Sequence, residues 1–211
     1  MNDLPSHDPN RCRVIGVLDD GVASLGATAL AHLRTADVVI GGARTLALFR
    51  HALKPGTLTH DLTGQLKAVP GWVRAAREAH QSCVVLATGD PLCHGIAPYL
   101  AQHLCLDALE ILPNLSTLQL ACARVGLAWQ DARIVSVHAA DAGEWQRGAP
   151  PSHGLYALAQ ALRAEQRLLL LTSPANCPDR IARLLLAEGL GSDFHMAVAE
   201  DLLQPDEQVH A

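Results

Sequence analysis

An α/β fold with mostly parallel strands is predicted by three observations. Apolar, β-rich runs alternate along the chain with stretches of helical periodicity, strand first. The runs end in short loops of small residues, most clearly where residues 84–88 lead into Gly89-Asp90-Pro91 and on through Leu92-Cys93-His94-Gly95. The chain has 211 residues, 49% of them hydrophobic, which is ample for a buried core without staples. In open α/β sheets ligands bind outside the carboxyl ends of the strands, where backbone amides and helix N-termini converge. The 89–93 loop is therefore the first candidate site: Gly89 permits close approach to the main chain, and Pro91 fixes the exit direction.

The elements follow in order. Residues 13–18 form the first strand, 24–34 a helix, 37–41 a second strand and 45–52 a second helix. Residues 55–63 read as a connector. After the break at Pro70-Gly71, residues 71–80 are helical and 82–87 form the strand that feeds the Gly-Asp-Pro loop. Residues 96–104 are helical and 109–112 form a further strand. Leu115, Leu118, Cys122 and Val125 share one face of a helix that stops at Gly126. Composition then shifts, which places a boundary between a first lobe, 13–126, and a second, 127–211, behind a disordered N-terminal arm, 1–12. In the second lobe, 133–138 is a strand, 140–153 a surface loop rich in Gly, Pro and polar residues, 155–164 a helix and 167–172 an apolar strand. Pro178 opens a helix that ends at Gly189, and 194–199 is the last strand.

Charge and cysteine usage narrow the function classes. A formal net charge of −5, with Lys and Arg scattered, leaves no electrostatic footprint for nucleic acid. No apolar stretch approaches the about 20 residues of a membrane span, and the polar N-terminus lacks the apolar segment of a signal peptide. Cys12, Cys83, Cys93, Cys105, Cys122 and Cys177 show no CxxC spacing and read as buried thiols in a reducing compartment, hence a cytoplasmic protein. His103 with Cys105, and Cys93 with His94, do not recur in a four-ligand set, so no metal site is expected.

Four motifs stand in sequence: Val14-Ile-Gly-Val-Leu-Asp-Asp-Gly21, Ala36-Asp-Val-Val-Ile-Gly-Gly-Ala-Arg-Thr-Leu46, the Gly89-Asp90-Pro91 loop, and Pro113-Asn-Leu-Ser-Thr-Leu-Gln-Leu-Ala-Cys-Ala-Arg-Val-Gly126. With Trp129-Gln-Asp-Ala-Arg-Ile-Val-Ser-Val-His138 and Glu200-Asp-Leu-Leu-Gln-Pro-Asp-Glu-Gln-Val209, the ordered set resembles the tetrapyrrole methylases of corrin (vitamin B12) synthesis over roughly residues 13–209. His138 and the closing Pro-Asp-Glu point within that family to the branch that methylates carbon 5 of precorrin-7. The resemblance implies a two-lobed class III methyltransferase fold, with a mostly parallel sheet in the first lobe, a mixed sheet in the second and S-adenosylmethionine folded in the cleft between them. It also implies a homodimer, a corrin substrate and S-adenosylhomocysteine as product.

Methyl transfer from a sulfonium asks the protein for alignment and exclusion of water rather than a nucleophilic triad. By resemblance, Leu18, Gly89, Asp90, Cys93, Ser116, Thr117 and Thr172 meet the donor, the loops mainly through main chain. The Ser116 hydroxyl equally fits an ordinary N-cap. Asp19 and Arg44 face the acidic macrocycle, though an Asp pair at a tight turn is also plain turn chemistry and Arg44 also fits a solvated helix start. Asp20 and His138 fall to catalysis. Carbon–carbon bond formation at a meso position ends in proton loss, and histidine titrates in the range to assist. A hydrogen-bonded strand-end histidine is the alternative.

Differences from the family pattern are specific. Cys93-His94 stand where aromatic residues are common, and Ala139 follows His138 in place of glycine. The chain stops where relatives run on into another strand or into a second methyltransferase acting at carbon 15 with decarboxylation. The expectation is therefore a second lobe lacking its final strand, and a carbon-15 partner, separate or fused. Other readings remain: an RNA or diphthamide methylase of the same superfamily, a non-catalytic subunit retaining the fold, or a nicotinamide-binding protein, for which Gly16 and Gly21 lack the further glycines of GxGxxG.

Overall fold

The computed structural model describes residues 10–211. The N-terminal arm expected over 1–12 lies outside them up to residue 9. Beyond it, Arg11 is buried and donates from Nε to the Asp107 carbonyl at 3.0 Å, and Cys12 already belongs to the first strand. The chain divides between Thr117 and Leu118 into two compact units, ahead of the composition shift near Gly126.

The first unit is built on a five-stranded, all-parallel sheet of β1 (Cys12–Val17), β2 (Val38–Gly41), β3 (Leu58–Asp61), β4 (Cys83–Thr88) and β5 (Leu109–Leu112), in the order β3-β2-β4-β1-β5. Helices α1 (Ala27–Thr35), α2 (Ala43–Phe49), α3 (Val69–Glu78) and α4 (Ala97–His103) connect them. Alternate residues of the central strands serve opposite faces. Ile15, Val17, Val39, Val84 and Leu86 pack with Leu33 of α1 and Phe49 of α2. Cys12, Val14, Val38, Ile40 and Val85 pack with Val73 of α3 and Leu100 of α4. Strands buried on both faces read as unbroken apolar runs, which is why they were legible. The neighbouring strands β1 and β4 thus send their following helices to opposite faces, which makes their carboxyl ends the switch point of the sheet.

Two elements differ from expectation. The connector 55–63 contains β3, whose Leu58, Thr59 and Asp61 are exposed, so an edge strand that buries little leaves no apolar signal. The first helix begins at Ala27, because Gly26 holds an extended conformation and Gly21–Ser24 forms a separate 3-10 turn.

The second unit carries most of α5 (Thr117–Val125), followed by β6 (Arg133–Ser136), α6 (Tyr156–Ala164), β7 (Leu168–Leu171), α7 (Pro178–Glu188), β8 (Val198–Glu200) and β9 (Gln208–His210). Both strand directions expected there occur, in two ladders rather than one sheet: β6 with β7 is parallel and β8 with β9 antiparallel. Leu155, Leu158, Leu162, Ile181 and Leu184 form the core with Val137 and Trp145. The last of these corrects the surface-loop reading of 140–153. Trp145 is 7% exposed and donates from Nε1 to Glu188 Oε1 at 2.7 Å, while Arg163 pairs with the other carboxylate oxygen. Burial pushes the Glu188 carboxyl up, but the Trp145 and Arg163 hydrogen bonds outweigh it and hold it below the ordinary value.

The C-terminal tail is held by its own contacts. Glu207 accepts from the Leu203 N–H at 2.7 Å and pairs with Arg124, so residues 208–210 return along β8 as β9. The six thiols are not uniformly buried: Cys12, Cys83 and Cys122 are, whereas Cys93 and Cys177 are half-buried and Cys105 is exposed. No helix among the described residues is long and apolar enough to cross a membrane.

Candidate functional site

The strand ends of the first unit close on one another through the absence of side chains. A Cβ on Gly16 of β1 would fall 2.2 Å from the Gly89 carbonyl oxygen and 2.6 Å from the Asn114 nitrogen, both backbone. Gly89 takes φ +70°, in the left-handed region glycine tolerates, and donates its N–H to the Val17 carbonyl at 2.8 Å. A Cβ there would sit 3.4 Å from Ser116 Cα and 3.5 Å from Thr117 N. Gly89 is thus buried and committed, and its role is to bring the loops after β1, β4 and β5 together. Asn114 completes the junction, donating from Nδ2 to the carbonyls of Gly16 at 3.3 Å and Ser24 at 3.0 Å while its Oδ1 accepts from Leu115 N at 2.9 Å.

The β4 loop supplies its own internal bonds. Asp90 Oδ1 accepts from Leu92 N at 2.9 Å, and the Cys93 N–H donates to the Asp90 carbonyl at 3.0 Å. Cys93 is half-buried beside Ser116, which is 7% exposed. Burial pushes the Cys93 thiol up, the Asp90 charge adds to this, and a hydrogen bond with Ser116 opposes it in part. At neutral pH Cys93 is therefore a thiol, not a thiolate nucleophile.

Leu18, at the end of β1, is buried, and its N–H donates to Ser24 Oγ at 3.3 Å. Asp19 is half-buried and paired with Arg44, whereas Asp20 beside it is exposed. The two residues expected to face an acidic substrate are therefore each other's partners. Arg44 lies in the first turn of α2, which follows the Gly42 N-cap.

In the second unit, His138 lies just past β6 and is exposed. Its Nδ1 donates to the Thr172 carbonyl at 2.8 Å, which joins two residues singled out from the sequence. A carbonyl can only accept, so this contact puts a proton on Nδ1, and in the neutral ring the lone pair is then on Nε2. Sequence reasoning passed over Asn114 and Asn176, the amides that knit these loops. Their one signal is an asparagine one or two residues after a proline beyond a strand end, in Pro113-Asn114 and Pro174-Ala175-Asn176.

Loops of small residues at the carboxyl end of a doubly wound parallel sheet are where α/β proteins of this class bind small molecules. The chain belongs to the tetrapyrrole (corrin/porphyrin) methylase family, whose model matches residues 12–211. It is a methyltransferase whose methyl donor is S-adenosylmethionine. The chain is 29% identical over 197 residues to a cobalt-precorrin-7 C(5)-methyltransferase of Salmonella typhimurium, covering 93% of this chain and 88% of that one. It is 35% identical over 196 residues to a decarboxylating precorrin-6Y C(5,15)-methyltransferase of a Sinorhizobium species, covering 93% of this chain but 43% of that longer protein. The fold matches that of a Thermus thermophilus uroporphyrin-III C-methyltransferase solved with S-adenosylhomocysteine, with a TM-score of 0.59 at 23% identity over 95% of this chain and 82% of the other.

The first-unit residues fit such a donor. Cys93, as a neutral thiol, does not compete for an activated methyl group, and half-buried Asp90 and Cys93 lie between exposed Thr88, Leu92 and His94.

Proposed function

We propose that the chain methylates carbon 5 of precorrin-7 or cobalt-precorrin-7 in cobalamin biosynthesis. The observation that carries the reading is the near end-to-end correspondence with the Salmonella cobalt-precorrin-7 C(5)-methyltransferase. S-adenosylmethionine supplies a methyl group already activated by the sulfonium charge. The protein's work is then alignment and exclusion of water, with one proton to remove.

In this reading Leu18, Asp90, Cys93, Ser116 and Thr117 hold the donor from the first unit, with Gly89 shaping the loop, and Thr172 is assigned to it from the second. Arg44 and Asp19 orient the carboxylates of the macrocycle, Arg44 by charge and Asp19 by holding the guanidinium. The new carbon–carbon bond forms as the sulfur–methyl bond breaks, S-adenosylhomocysteine leaves, and the proton at the methylated carbon passes to His138 Nε2. Asp20, exposed at the turn, is assigned to the reacting end of the substrate. The reading carries with it a cytoplasmic homodimer acting with a carbon-15 methyltransferase and no nucleic-acid partner.

Incubating the purified chain with methyl-labelled S-adenosylmethionine and precorrin-7, with and without cobalt, tests it. Mass spectrometry should find a corrinoid heavier by one methyl group. Label in RNA or in a protein overturns the substrate, and no transfer to either corrinoid in a protein that binds the donor leaves a non-catalytic subunit.

A further inference from the structure

The loop that follows β6 is built around one side chain. Asn176, on the loop after β7, is 1% exposed. Its Nδ2 donates to the carbonyls of Val137 at 3.0 Å, Ala140 at 3.1 Å and, longer, Ala139 at 3.4 Å. Its Oδ1 accepts from Ala142 N at 3.2 Å and Arg180 Nη1 at 3.1 Å. Its own N–H donates to Ser173 Oγ at 3.1 Å, and that hydroxyl donates to the Ala139 carbonyl at 3.3 Å.

His138 sits at the middle of this arrangement. The Ala139 N–H donates to the Val137 carbonyl at 2.8 Å, closing a three-residue turn with His138 at its centre, and Asn176 binds the carbonyls on both sides. The β6–β7 ladder is already complete without the amide, since its last rung is Val137 N to the Leu171 carbonyl at 2.8 Å. What the amide adds is the course of the chain through 137–142, and with it the direction in which the imidazole leaves the backbone. That direction takes Nδ1 to the Thr172 carbonyl.

We infer that Asn176 is a positioning residue for methyl transfer, acting through His138. By clamping the main chain on both sides of His138 it holds the ring on the Thr172 carbonyl, which fixes the tautomer whose Nε2 can take a proton. When Nε2 accepts the proton from the methylated carbon, the imidazolium keeps its Nδ1–H bond to Thr172, and that bond strengthens as the ring becomes charged. The inference rests on the reading of His138 as proton acceptor, but the clamp and its tautomer can be read without activity.

The test is nitrogen NMR of protein labelled with 15N-histidine, with His138→Ala identifying the resonance, together with single-turnover rates. The native protein should show His138 protonated at Nδ1 and bare at Nε2. Asn176→Ala should release the ring toward the Nε2–H form that free imidazole side chains prefer. It should slow transfer about tenfold, less than the ~10²-fold expected for removing a base, with S-adenosylhomocysteine affinity unchanged. In a His138→Ala background the second substitution should cost nothing more. Should Asn176→Ala fail to fold, Ser173→Ala, which removes the hydroxyl joining the Asn176 N–H to the Ala139 carbonyl but leaves the Asn176 amide in place, carries the same test with a smaller shift. An unchanged tautomer, or an equal loss of rate with and without His138, overturns the inference. A His138→Ala enzyme at full rate instead removes the base role itself, while the tautomer shift still judges the clamp.

Discussion

Arg44 directs Nη2 at the Asp19 carboxylate, 2.6 Å from Oδ1 and 2.7 Å from Oδ2, tying the loop after β1 to the first turn of the helix after β2. One nitrogen serves both oxygens. The Arg44 side chain is 66% exposed, and exposed ion pairs contribute little to stability. Arg44→Ala should therefore shift the unfolding free energy by less than about 1 kcal/mol while raising the KM for the corrinoid. Asp19→Asn should also raise KM, by loosening the guanidinium. Urea titration and steady-state kinetics check both, and a large stability loss with KM unchanged would reassign the pair to folding.

Gly16→Ala tests the junction of strand ends. The added methyl has backbone on two sides, which cannot give as a flexible side chain can, so a cost of about 1–3 kcal/mol is expected from overpacking. The displacement falls on the 89–93 loop, so calorimetry should also find weaker S-adenosylhomocysteine binding. Gly26→Ala is the control. An added Cβ there meets nothing within 4 Å, and the φ of −64° suits any residue.

His138→Ala should slow single-turnover transfer by ~10²-fold, at the low end for a general base, and leave donor binding intact. Full activity in that variant would return His138 to a structural role.

Acid stability should depend on Asp37. Lys54 Nζ lies 2.6 Å from its Oδ1, and the Ser82 hydroxyl and N–H donate to Oδ2 at 2.7 and 2.9 Å. The Lys54 hydrogen bond, followed by those from Ser82, holds the carboxyl far below its ordinary value of 3.8. The pKa is lower folded than unfolded, so the ionised carboxylate stabilises the fold at every pH above the ordinary value. That contribution disappears as pH falls from there through the folded-state value. Asp37→Asn should be less stable than the native protein at neutral pH, with the gap narrowing below about pH 4. A gap independent of pH would show that the carboxylate's charge is not what matters.

Hydrogen exchange should separate the two antiparallel end strands from the central sheet. Every residue of β9 is exposed, whereas Cys83, Val84, Val85 and Leu86 of β4 are buried between two layers of helices. Amides of β8 and β9 should exchange orders of magnitude faster than those of β4. Equal protection would mean that Arg124 and Glu207 stabilise the tail far beyond what a partly exposed ion pair supplies.

The legible parts of the fold were those whose physics is local. Val14, Val85 and their neighbours announced central strands because both faces are buried, and Gly126 and Gly189 marked helix ends through the left-handed turn each supplies. The edge strand β3 escaped notice because Leu58 and Asp61 pack against nothing that demands an apolar pattern. Trp145 looked like part of a surface loop because its anchor, Glu188, is 43 residues away in the chain. The same distance effect hid Asn176 among turn residues, although three carbonyls depend on it.

Residue types and their order determined by themselves the α/β class, the family, the methyl-transfer chemistry and the loops from which donor and substrate contacts were expected. Tertiary structure decided how those residues are used: Gly89 as packing that lets strand ends meet, Arg44 and Asp19 as mutual partners, and the His138 imidazole on the Thr172 carbonyl. The division has a physical cause. Periodicity, turn chemistry and charge act between near neighbours and are written in the string. A hydrogen bond between residues 34 positions apart, such as His138 to Thr172, exists only once β6 and β7 have paired and brought their ends together.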